Sequence, residues 1–243
     1  MTTEFAERHL YLVTTLWGLL SVAICCVLAG PQRRMTLVAG LVTLPFVPLA
    51  GTYNDGAFWT PTHLDLSPFL PFVAFGGPVG LEDIFCLFIA GARAWFFATV
   101  SARHTWRANA TAAMFAARAL GISGIAVVLC IGLALAGIGS IPISYVVPVV
   151  IGCAALAARR DLWPLAVGGA VGSTIISSIE LRTYFGIWPE WAAAWTPGAP
   201  TSIDLLGVKL GDLVWWCVVG AVHPLVIACC AGVSTASGPE RGR

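Results

Sequence analysis

The chain has 243 residues, of which 58% are hydrophobic and only 10% charged, with a mean hydropathy of +0.86. A water-soluble domain carries charge on roughly a quarter of its residues, so the composition excludes one and predicts an all-α, polytopic integral membrane protein. The net charge of +1, with Lys209 the only lysine, excludes a nucleic-acid surface.

A membrane span needs about 20 mainly apolar residues. Seven stretches qualify, at 10–30, 35–53, 79–100, 112–137, 140–158, 162–183 and 206–233. The N-terminus carries Glu4 and Glu7 rather than a basic region, so the first stretch is expected to stay as an anchor. The fourth and fifth are separated by the tight link Gly137-Ile138-Gly139-Ser140. Arg33 and Arg34 follow the first span, Arg103 and Arg107 the third, Arg159 and Arg160 the fifth, and Arg241 and Arg243 the seventh. Only Arg8, Arg182 and Lys209 fall on the other side. The positive-inside rule then predicts a multi-pass protein of a bacterial-type inner membrane, with the N-terminus outside and the C-terminus cytoplasmic.

The two outer connections, 54–78 and 184–205, are long and rich in Trp, Pro and Gly. They read as functional lids or as interfacial aromatic belts. An Arg-Arg pair, a span closing on Thr-Tyr, a Trp-Thr-Pro loop and a helix headed by an acid occur twice, the last at Asp83 and again at Asp212. The expected organisation is two three-helix repeats, 1–111 and 139–243, joined by a connecting helix at 112–138.

The stretch Gly80-Leu81-Glu82-Asp83-Ile84-Phe85 places two adjacent acids at the head of an apolar run. A carboxylate near a bilayer centre costs about 2.5–3.5 kcal/mol on insertion scales, which makes it a functional-site hypothesis. Successive helical residues lie about 100° apart, so Glu82 and Asp83 cannot both face one cavity. Asp83 matches Asp212, whereas Glu82 stands opposite Gly211 and belongs to the first half alone. Glu180 completes a group of four acids expected in the outer membrane half beneath the Trp-bearing loops. The plainer reading has the aspartates capping or tying helices and Glu180 pairing with Arg182 or interfacial water.

Arg93 and Arg118 read as side chains snorkelling to the inner interface, and His223, beside Pro224, as a packing residue. The cysteines Cys25, Cys26, Cys86, Cys130, Cys153, Cys217, Cys229 and Cys230 lie in apolar runs without metal-ligand spacing and read as small packing residues. No metal is expected. The sequon at Asn109 falls on the inner side and is set aside.

A buried carboxyl can keep its proton at neutral pH while a second carboxylate accepts one. Desolvated Trp and Tyr faces stabilise a cation by up to about 2 kcal/mol. These are the needs of proton-initiated isoprenoid cyclisation, which involves no net redox change and requires no cofactor.

Tyr53, the loop Phe58-Trp59-Thr60-Pro61 and Gly80-Leu81-Glu82-Asp83-Ile84-Phe85 leading to Gly91 resemble the lycopene cyclase domain of the membrane-embedded carotenoid cyclase family. The resemblance implies a three-helix domain in two copies and, with the related membrane terpene cyclases, carboxylic-acid catalysis on a lipid-dissolved polyene or epoxide. Glu82 or Asp83 would then be the acid, with Asp212 or Glu180 as partner. Tyr53, Trp59, Phe85, Tyr184, Trp188, Trp195, Trp215 and Trp216 would line the substrate. Partners would be the isoprenoid and membrane lipids. The alternative is a non-enzymatic transporter or ligand-binding protein using the same acids. A retinal Schiff base is excluded by the position of Lys209 at the start of the last span.

Overall fold

The computed structural model describes residues 3–44, 47, 79–102, 106–187, 189, 203–205 and 207–235. Tyr53 and the two long connections, with Trp59, Trp188 and Trp195, lie outside the described residues except at the ends of the second connection.

Among the described residues, seven α-helices fall on the seven apolar stretches: α1 Thr3–Leu28, α2 Arg33–Thr43 (the first part of the second stretch), α3 Leu81–Ala102, α4 Ala112–Leu135, α5 Ser140–Ala158, α6 Trp163–Ile187 and α7 Leu210–Ala231. Four of the apolar segments, Leu81–Val100, Ala112–Leu135, Arg160–Ile187 and Leu210–Ala231, are long and apolar enough to cross a membrane; Thr14–Leu28 and Pro142–Ala158 are shorter apolar helices. A single turn of 3-10 helix follows α1 at Gly30–Gln32 and follows α5 at Arg160–Leu162.

The boundaries have local causes. Thr111 caps α4 by accepting a hydrogen bond from the Met114 amide at 3.3 Å. Gly137, at φ +79°, stops α4 where the sequence predicts a break. The last predicted span starts too early. An antiparallel β-hairpin, β2 Asp204–Leu205 with β3 Val208–Lys209, precedes α7. Its turn is fixed by Gly207 at φ +81° and by Asp204 Oδ1 accepting from the Gly207 amide at 2.8 Å. Conversely, α6 runs past residue 183 to Ile187.

Helices α3, α6 and α7 form the centre, with α1 and α2 against α3, α5 against α7, and α4 against α5 and α7. Without a hydrophobic drive between helices in lipid, close packing depends on small residues. At the α6–α7 crossing, a Cβ on Gly169 would stand 2.1 Å from the Gly220 carbonyl oxygen, and one on Gly220 would stand 2.4 Å from that of Gly169. The two backbones touch. At the α2–α3 crossing a Cβ on Gly91 would meet the Ala39 carbonyl at 2.7 Å, and one on Gly40 would meet the Phe88 ring at 2.5 Å. There the Thr43 hydroxyl has the Gly40 and Leu87 carbonyls at 2.7 Å. The spacing that relates Asp83 to Asp212 also relates Gly40 to Gly169 and Gly91 to Gly220.

Arginine-bearing turns gather at one end of the bundle. Strand β1, Trp106–Arg107, pairs antiparallel with β4, Ser234–Thr235, and so joins the exit of α3 to the exit of α7. Asn109 Nδ2 donates to the Gly232 carbonyl and to Ser234 Oγ, and Gln32 Nε2 to the Trp106 carbonyl. Arg159 binds Asp161 through two nitrogens and also donates to the Val233 carbonyl. Arg118 is exposed, and its Nη1 donates to the Cys229 carbonyl at 3.3 Å. It therefore serves the C-terminus of α7, where a cation complements the helix dipole. Gly232, at φ +58°, ends that helix.

Helix α4 is peripheral, with Leu120, Ile125, Val128, Ile131 and Leu135 exposed. A Cβ added at Gly121 meets nothing within 4 Å. Gly220→Leu is therefore expected to abolish recovery of folded protein from detergent. Gly121→Ala is expected to leave thermal stability within about 1 kcal/mol of the parent, on the stabilising side by helix propensity.

Candidate functional site

Glu82 and Asp83 lie in the first turn of α3 and Asp212 in the first turn of α7, and all three are buried, at 2%, 4% and 8% exposure. These first turns lie at the ends of α3 and α7 opposite their exits, which are the arginine-bearing turns joined by β1 and β4. The aspartates occupy equivalent positions, each the third residue of its helix. Asp83 is engaged locally: its Oδ2 accepts from the Gly80 amide at 2.6 Å while the Asp83 amide donates to the Gly80 carbonyl at 3.2 Å. That is the acid half of a capping box, in which a carboxylate at the third helical position reaches back to the residue before the helix. Glu82, one step round the helix, is the more deeply buried of the pair.

On the second half, the Tyr145 hydroxyl of α5 donates to the Gly211 carbonyl at 3.0 Å, which sets a phenol within electrostatic reach of Asp212. Trp215 and Trp216 follow on α7, with ring centroids 4.8 Å apart and planes at 81°. Both are half-buried, as is Phe85, which packs against the buried cluster of Val22, Ile89 and Ala92.

Glu180 is not part of the acid group at the head of α3, nor does it pair with Arg182, which is exposed. It accepts from Arg93 Nη1 at 2.8 Å across the α3–α6 interface, with side-chain exposures of 13% and 6%. Arg93 therefore does not snorkel to the interface; it is held inside the bundle by a carboxylate on the neighbouring helix. Glu82 and Arg93 stand eleven residues apart on α3, about 16 Å of helix rise. Cys86 and Tyr184 lie within electrostatic reach of each other, Tyr184 also of both members of the ion pair, and Cys25 on α1 of the pair as well. Ser173, Ser177, Glu180 and Tyr184 recur at helical spacing, so one face of α6 carries a polar seam.

His223 is a packing residue bonded to the Ala90 backbone. Among the described residues no group of three or more His, Cys, Asp or Glu could hold a metal ion.

The sequence singled out Glu82, Asp83, Glu180 and Asp212 but missed Arg93 and Tyr145 as members of polar contacts and Ser177 as a buried polar group beside Glu180. The spacing of Ser177, Glu180 and Tyr184 was a usable signal. The pairing of Arg93 was not, because it depends on how α3 packs on α6.

Breaking one side of a buried ion pair leaves the other charge unpaired, a cost of about 3–5 kcal/mol. Glu180→Gln and Arg93→Met are each expected to lower the midpoint of thermal unfolding strongly. The double variant is expected to recover much of the loss in a double-mutant cycle; additive losses would contradict the pairing. Compared with family models, curated proteins and solved structures, the chain finds no match.

Proposed function

We propose that the protein is a membrane isoprenoid cyclase that starts a non-redox cyclisation by protonating a double bond or epoxide of a lipid-soluble substrate. The observation that carries this reading is the burial of three acids at the first turns of α3 and α7, with Glu82 the most deeply buried. Asp83 holds the cap position, its Oδ2 accepting from the Gly80 amide, and Glu82 stands on a different helix face. In the proposed reaction the Glu82 carboxyl gives its proton to the terminal carbon or epoxide oxygen, and the positive charge moves along the chain as new carbon–carbon bonds form. A carboxylate, with Asp212 the proposed one, then removes a proton, so the product is an isomer of the substrate. Trp215, Trp216 and Phe85 supply rings that tolerate a cation, as would the Trp-bearing connections.

The arrangement proposed is two related three-helix units with α4 as the connector, crossing the membrane seven times with the arginine-bearing end in the cytoplasm. The matched glycine crossings and the matched 3-10 turns support it. So does the gathering of arginine-bearing turns at one end, which the positive-inside rule assigns to the cytoplasm.

A second reading, a transporter or ligand-binding protein, is favoured by one observation. Polar groups are not confined to the heads of the helices, because the Arg93–Glu180 pair lies about 16 Å further along α3 from Glu82.

The test is expression in hosts that accumulate lycopene or, separately, geranylgeranylated and epoxidised terpenoids, with extracts read by mass and retention time. The expected result is an isomer of unchanged mass that disappears in Glu82→Gln. Asp83→Asn is expected to cost about 1 kcal/mol of stability through its cap while retaining product. No isomer from any of these substrates, in cells holding folded protein, would move the assignment to the second reading.

A further inference from the structure

The ion pair between α3 and α6 leaves two polar atoms over. Arg93 and Ser177 are 5% and 2% exposed. Among the described residues, Arg93 Nη2 and Ser177 Oγ are buried and meet no hydrogen-bond partner. Ser177 stands one helical turn from Glu180, on the same face of α6, so both donors belong to the region that the ion pair closes. A buried donor left unmade costs about 1–3 kcal/mol, and two of them from facing helices mark a place built to receive an acceptor.

The charge balance says which acceptor. Arg93 is already neutralised by Glu180, so an incoming carboxylate or phosphate would leave a net negative charge in an apolar interior, at a cost of several kcal/mol. A neutral oxygen, with lone pairs and no charge, satisfies the donors without that cost.

We propose that Arg93 Nη2 and Ser177 Oγ bind the neutral oxygen of an oxygenated isoprenoid, such as an epoxide, ketone or alcohol, at the end of the chain remote from the bond that Glu82 protonates, and so select it over the hydrocarbon of the same length. This rests on the reading of the protein as one that takes an isoprenoid, and it narrows that class to oxygen-bearing members.

The experiment is equilibrium binding to the full chain in lipid nanodiscs, with squalene and 2,3-oxidosqualene as probes that differ by one oxygen atom. The epoxide is expected to bind about ten-fold or more tightly, the scale of one hydrogen bond from a charged donor. Ser177→Ala and Arg93→Lys, the latter keeping the ion pair but removing the second nitrogen, are each expected to reduce that preference while squalene binding stays unchanged. Equal affinities in the parent protein, no binding of either probe, or a preference that survives Ser177→Ala and any folded Arg93→Lys would overturn the inference. Oxygen-dependent binding without formation of any isomer would uphold it and overturn the cyclase reading instead.

Discussion

Backbone contact at the Gly169–Gly220 crossing is the constraint on which the rest of the bundle depends. Two helices whose carbonyls lie within 2.1–2.4 Å of each other's missing Cβ positions have no freedom to slide. That crossing fixes α6 on α7, and Gly172, whose Cβ would meet Phe97 Cβ at 2.4 Å, fixes α6 on α3. With α6 held on both sides, Glu180 is carried to Arg93 and the seam of Ser173, Ser177 and Tyr184 is turned inward. In the first half, Gly40 and Gly91 do the same for α2 on α3. In a bilayer such contacts replace the hydrophobic drive of a soluble core.

The two ends of this frame differ in chemistry. The arginine-bearing end is stapled by hydrogen bonds that cross between turns: β1 with β4, Asn109 with Gly232 and Ser234, Arg159 with Val233, Arg118 with Cys229. Each serves a carbonyl or strand edge left over where a helix stops, a need that every helix terminus has. The opposite end holds buried acids at the first turns of α3 and α7. There a negative charge is favoured by the helix dipole, and Asp83 carries the cap bond to Gly80. Glu82 is the most deeply buried of the three acids, and the functional proposal rests on burial of carboxyls in an apolar bundle.

Much of the fold was legible in the sequence because its signals are local. Span length, the arginines after the first, third, fifth and seventh stretches and Gly137 between α4 and α5 set the positions of α3 to α7 to within a few residues. Helix α1, by contrast, begins at Thr3 rather than at residue 10, and α2 covers Arg33–Thr43 of the stretch expected at 35–53. The start of α7 was misplaced because hydropathy does not register a hairpin whose turn depends on Asp204 and Gly207. The candidate site was less legible. Burial of Glu82, Asp83 and Asp212 follows from their apolar neighbours. Glu180 was assigned to the wrong company, since its position along α6 gives depth only relative to its own helix ends. The partner that decides its role comes from the crossing of α6 with α3, and that is a property of packing rather than of spacing.

The most direct test of the account is carboxyl modification of the folded protein in membranes with dicyclohexylcarbodiimide, an apolar reagent that enters from lipid and reacts with protonated carboxyls. Peptide mapping by mass spectrometry identifies the modified residue. The account predicts modification at Glu82, the proposed proton donor, and protection of Glu82 by a bound oxygenated isoprenoid. Modification at Asp83 with Glu82 untouched would contradict it.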